Sequence, residues 1–257
     1  MTRGYVARAA ASAERDTGGR TRLTRLRSDG PLALRETAEA LYLVGAAAGP
    51  LGGDDFALAL EIGPGARLAV RSVATTLALP GKGESRMAVR ARVSAGGHLD
   101  FAPEPTVAAA GCHHRSAAAI ELAEGATLRW YEELILGRHL ELPGKHTSRF
   151  DVTLGGVPIL RHELRLDDPA VFGSRAVIGD AKAVGSVLLV APGLSREPYA
   201  AASDGLAVLP LAGPGVLITA VAGNSATLRH RLAQGEELAG SGTSRNAMNA
   251  GASSSSA

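Results

Sequence analysis

The sequence predicts a mostly β fold of stacked, helically wound β-sheet layers with about two short helices, and three observations predict it. FALALEI, Phe56 to Ile62, alternates cleanly, with Phe56, Leu58, Leu60 and Ile62 on one face of a half-buried strand. The pattern G-[AG]-x-L-x-(large apolar) recurs at Gly65, Gly96 and Gly125, about 30 residues apart, and strand-built repeats of that length suggest units that bury one another's faces. Aromatic residues make up only 4% of the 257-residue chain while Ala, Gly, Val and Leu dominate, so the core is built from small and branched side chains, which favours closely stacked sheets over a large aromatic pocket.

In chain order, residues 1–18 read as a flexible N-terminus, residues 19–238 as a single β domain and residues 239–257 as a disordered low-complexity tail. Arg20 to Ser28 alternates as an edge strand whose arginines discourage edge-to-edge pairing. After the Asp29-Gly30-Pro31 turn, Leu32 to Arg35 and Leu41 to Val44 are short and apolar enough for strands. Met87 to Val93 and Ala117 to Leu122 are further strands between the repeats.

The stretch Glu124 to Arg138 holds the chain's only tryptophan. Leu128, Trp130 and Glu132 alternate with Thr127, Arg129 and Tyr131, and Leu134, Ile135 and Leu136 follow. Such a strand passes from one buried face to two, into the middle of a sheet, and carries Glu132 and Glu133 with it. Buried carboxylates need partners or a purpose. His139 to Phe150 reads as a loop with two histidines, and Gly155-Gly156 between apolar runs as a hairpin signal. Val184 to Val190, Leu206 to Leu211 and Val216 to Val221 are apolar runs. Ser195 to Ser203 has the composition of a short helix, and Asn224 or Ser225 is suited to cap a second one through Leu228 and Leu232.

Composition removes several function classes. With 46% hydrophobic and 20% charged residues the chain is not globally disordered. The formal charge is only +2, and no basic run interleaved with aromatics points to nucleic acid. The single cysteine excludes an internal disulfide framework, and no apolar run approaches the ~18 residues of a spanning helix. These features predict a cytoplasmic protein with no membrane partner.

The chemistry-bearing motifs are few. The loop with Gly49, Gly52 and Gly53 lacks the Lys-Ser/Thr of a phosphate loop and is followed by a strand, so it reads as a turn presenting Asp54. Cys112-His113-His114 offers metal ligands, but on a strand only Cys112 and His114 share a face. No nucleophile elbow occurs.

Read together, YLVGAAAGPLGGDDFALALEIGPGARL, WYEELILGR and SRFDVTLGGVPILRHELRL, in that order and at these separations, resemble the urease accessory protein family UreD, also called UreH. The similarity runs from about Gly19 to Leu166 and continues faintly to about Leu232. The family's resemblance implies a non-enzymatic fold of two stacked, helically wound strand layers. It also implies a UreF-type helical partner, a UreG-type GTPase, docking on apo-urease, and nickel in transit along an internal path with no tightly bound cofactor. Carried over by motif, the loop aspartate falls at Asp54 and the acid before the Gly-Arg pair at Glu132. A small hydroxyl residue lining the path falls at Thr76, and an acid in the strand after the hairpin falls at His162, with Glu163 beside it. The family's Gln and Lys around the hydroxyl are replaced by Val73 and Leu77, and its arginine-rich C-terminal ending is absent. Two alternatives from other classes are a metal-dependent hydrolase using Cys112 and His114, and a β-solenoid-like binding module without metal.

Overall fold

The computed structural model describes residues 4–194, 201–203 and 205–252, with side chains as far as Gly240. Two sheets face each other across an apolar interior. The seven-stranded sheet has the order β14-β13-β11-β8-β5-β1-β2, built from β1 (Val6–Arg15), β2 (Thr21–Arg27), β5 (Asp55–Ile62), β8 (Ser85–Val93), β11 (His113–Leu122), β13 (Lys145–Leu154) and β14 (Val157–Leu166). The eleven-stranded sheet contains β3 (Leu32–Glu36), β4 (Leu41–Gly45), β6 (Arg67–Ser72), β7 (Thr76–Ala78), β9 (His98–Phe101), β10 (Thr106–Ala108) and β12 (Thr127–Leu136). It continues antiparallel through β15 (Ala183–Val190), β18 (Gly215–Ala222), β17 (Leu206–Pro210) and β16 (Ala201–Ser203). The result is a β-solenoid, the mostly β wound-sheet fold predicted from the repeats.

The winding follows from the glycine pattern. Gly65, Gly96 and Gly125 have φ of 67°, 68° and 75°, the third position of tight turns closed by hydrogen bonds from Ala66 to Gly63, Gly97 to Ser94 and Ala126 to Ala123. A positive φ there suits glycine, and each turn hands the chain from one sheet to the other. The three repeats then lie side by side in parallel register, Leu68 beside Leu99 beside Leu128, and Val70 beside Phe101 beside Trp130. Identical positions of successive coils thus become neighbours, which is why a degenerate repeat suffices to specify the stack. Trp130 is fully buried, its ring stacked on Phe101 at 4.0 Å between centroids and 5.5 Å from Phe150 on the opposite sheet.

Among the described residues, two helices complete the fold. Asp168 caps the short α1 (Pro169–Phe172) through the Ala170 amide. Asn224 caps α2 (Ser225–Ala252), accepting from the Thr227 amide at 2.9 Å. The early turns of α2 lay Leu228 and Leu232 on Ala183, Val187, Ile218 and Ala220, the outer face of the larger sheet.

Four expectations need correction. The N-terminal segment is not flexible: β1 lies inside the smaller sheet, parallel to β5 and antiparallel to β2, with Ala7, Ala9, Ala11 and Ala13 buried. Alanines read as weak strand formers, but here Ala9, Ala11 and Ala13 lie in register beside the bulky inner residues Leu58, Leu60 and Ile62. The low-complexity tail continues α2 as far as Ala252; residues 253–257 lie outside the described ones. Of the short helix expected at Ser195 to Ser203, residues 195–200 lie outside the described residues and Ala201–Ser203 is an edge strand. The expected histidine loop becomes strand from Lys145, so His146 is a sheet residue.

Candidate functional site

The interior of the solenoid is not uniformly apolar. Parallel register aligns Arg86 with Asp55 and Arg115, and His114 with Ser85 and His146. One step before β5, Asp54 takes the place beside Ser85, its carbonyl accepting from the Arg86 amide at 2.7 Å. Asp54, Ser85, His114 and His146 therefore form a file across four successive strands, along the axis of winding. All four are buried. Neighbouring strands are about 4.8 Å apart, so the file spans roughly 14 Å.

Each member has a distinct chemistry. Asp54 accepts from the Tyr5 amide at 2.7 Å on one carboxylate oxygen and from the Leu51 amide at 2.8 Å on the other; it fastens the start of the chain to the glycine loop. Ser85 Oγ lies 2.9 Å from His114 Nδ1 and donates to the His113 carbonyl at 3.4 Å. Ser116 Oγ lies 3.3 Å from His146 Nε2. The two imidazoles face each other at 5.5 Å between ring centres. Burial pulls the pKa of His114 down to about 4 and that of His146 down to about 3, so both rings are neutral at physiological pH.

Across the interior, β12 positions the paired carboxylates on opposite faces. Glu132 shares the inward face with Trp130 and accepts from its indole Nε1 at 2.9 Å. It retains part of its solvent-accessible surface although its strand neighbours Trp130 and Leu134 are core residues. Burial raises its pKa, outweighing the indole hydrogen bond. The nearby arginines of the same stretch are engaged elsewhere, Arg129 with Glu236 and Asp100, and Arg138 with Glu141. Glu133 instead points to α2, where Arg229 Nε is at 2.9 Å and the Ser225 hydroxyl donates to the second oxygen, while Tyr131 Oη of its own strand donates at 3.1 Å. Arg229 reaches on to Glu104 at 2.8 Å. This network latches α2 to the solenoid.

Thr76 pairs with Thr106, which pairs with Leu134; Thr76 lies on the face of β7 that carries the buried Ala78, in the same sheet as Glu132. His162 is half-buried on β14 opposite Phe150, its pKa lowered by burial. No group of three or more His, Cys, Asp or Glu able to hold a metal occurs among the described residues.

The Cys112 and His114 pair does not support hydrolysis. Burial pushes the Cys112 thiol up to about 11 and its sulfur points to the Lys145 carbonyl, so it is neither a thiolate nucleophile nor a ready ligand. His113 turns outward to Glu84 at 3.3 Å. Glu133, Ser85, Ser116 and His146 were not legible as site residues. For the file, the signal was the repeat itself: extending the spacing of about 30 residues from the glycine turns back to the facing strands aligns Ser85, His114 and His146.

A family model described as UreD urease accessory protein matches residues 6–249. Among curated relatives, the "Urease accessory protein UreD" of Parafrankia sp. is 45% identical over 264 residues, covering 91% of this chain and 88% of the relative. That of Frankia casuarinae is 42% identical over 281 residues, covering 89% and 88%. That of Streptomyces avermitilis is 41% identical over 240 residues, covering 89% and 95%.

Proposed function

The chain belongs to the UreD urease accessory protein family, a family of non-catalytic maturation factors, and on that premise we propose that it enables GTP-dependent nickel insertion into apo-urease by passing the ion through its interior. In this reading a UreF-type helical protein and a UreG-type GTPase dock on it in the cytoplasm, and nickel enters and leaves without a resident cofactor.

The observation that carries the nickel reading is the buried polar file on one sheet, facing a second sheet with Glu132 and Thr76 on its inner surface. An otherwise apolar core has no packing reason to align polar side chains along its axis. A transit path needs oxygen or imidazole ligands that are few at each stop, because a full coordination shell would trap the ion. Asp54, Glu132 and His162 are the proposed contacts, each a single ligand, and Thr76 is proposed to line the path. The residual surface of the largely buried Glu132 supports water within reach of the path.

The test is deletion of this chain in a urease-producing host. The expected result is urease protein at normal abundance with little bound nickel and little activity, restored by the intact chain. Normal urease activity in the deletion strain at ordinary nickel supply would overturn the proposal.

A further inference from the structure

We infer that His114 and His146 form an internal two-imidazole site for a borderline divalent transition-metal ion, with water completing its shell. The inference deepens the nickel-passage reading and rests on it for the identity of the ion alone.

Hydroxyl groups set the two rings. Ser85 donates its own proton to the His113 carbonyl, so its oxygen receives the proton of His114 Nδ1 and leaves the lone pair of His114 on Nε2. Ser116 engages His146 at Nε2, which leaves Nδ1 as the open nitrogen. That atom is fully buried and has no hydrogen-bond partner among the described residues. A buried nitrogen without a partner costs free energy unless something occupies it. Hydrogen bonds to the far ring nitrogen are the usual means by which proteins fix the tautomer of a metal-binding histidine.

The spacing agrees. With metal–nitrogen bonds of about 2.1 Å, two imidazoles sharing one ion at a wide tetrahedral-like angle have ring centres roughly 5 to 5.5 Å apart, and these rings are 5.5 Å apart. Both are neutral at physiological pH, as ligands must be. Two protein ligands with no third among the described residues hold an ion weakly enough to release it.

The experiment is titration of the full-length chain, labelled with ¹⁵N-histidine and held soluble in complex with a UreF-type partner, with Ni²⁺ and separately with diamagnetic Zn²⁺. The expected result is broadening by Ni²⁺ and shifting by Zn²⁺ of the two buried imidazole signals, assigned with His114→Asn and His146→Phe. His146→Phe weakens binding at the pair roughly tenfold or more, Ser116→Ala weakens it by a similar factor, and His113→Ala on the outer face leaves it unchanged. Signals of His114 and His146 that stay fixed at millimolar Ni²⁺ would mean that the pair holds only a buried water, and the inference falls. Undiminished binding in folded His146→Phe overturns it equally. Should His146→Phe not fold, the wild-type signals and Ser116→Ala decide. None of these readouts uses urease, so a pair that ignores nickel in a chain that urease still requires defeats this inference and leaves the proposed function standing. Metal binding at the pair in a chain that urease does not require does the reverse.

Discussion

Glu132 and Glu133 are adjacent in sequence and opposite in surroundings. The alternation of β12 turns one toward the interior and Trp130, the other toward α2 and Arg229, so the same chemical change separates their roles. Glu132→Gln keeps the shape and one acceptor oxygen for the Trp130 indole while losing the charge and the second acceptor, and the complex is expected to assemble in normal yield while urease receives less nickel. Normal yield with normal nickel loading would remove Glu132 from the path. Glu133→Ala strips a fully buried side chain from Arg229, Ser225 and Tyr131. Since Arg229 keeps Glu104 and water, the cost is at the low end of buried-pair losses, about 3 kcal/mol, read as a lower melting temperature and less soluble protein.

The histidine pair predicts a pH dependence at the same scale. Folding lowers both pKa values from 6.5, to about 4 and about 3, so the unfolded chain binds more protons in acid. The stability that accompanies the neutral pair is present above pH about 6.5 and is lost as pH falls toward the folded values, by up to about 1.4 kcal/mol per pH unit for each ring. Glu84 and His113 act on His114 in opposite directions, secondary to burial. Melting temperature measured from pH 7 to pH 5 should fall less steeply in His146→Phe than in the wild type; parallel curves would show that His146 does not titrate with unfolding. The sequence exposed Cys112, His113 and His114 as a motif but left His146 in a loop, because its role depends on register between strands that no local pattern encodes.

At the scale of elements, the repeat made the parallel coils legible and composition misled at both ends. FALALEI and the three glycine turns carry their information locally, as alternation and as positive φ, and the strands stand where they were expected. VARAAASAER carries no such signal, because an alanine strand is defined by what covers it. Removing residues 1–15 is therefore expected to abolish soluble expression. It strips β5 of a parallel neighbour along its whole length and uncovers Leu58, Leu60 and Ile62. A truncated chain that folds with an unchanged circular dichroism spectrum would show that β1 contributes little.

For the whole molecule, the solenoid buries its faces but leaves apolar groups at its rims. Leu140 is 94% exposed and Leu142 82%, in the loop after β12, while Leu26 is exposed on the edge strand β2 and Tyr5 and Val6 at the start of its neighbour β1. The arginines of β2 guard that edge against pairing with another chain, yet they do not cover the side chains. A scaffold that works in a complex tolerates such surface because its partners cover it, and the free chain then faces association instead of folding alone. The expected outcome is poor solubility of this chain by itself, with soluble yield rising several-fold on co-expression with a UreF-type partner and the two co-purifying. If it instead purifies alone as a stable monomer at high concentration, with no change on adding the partner, then its apolar rims are solvated surface and the requirement for a partner in folding is lost, whatever its role in delivering nickel.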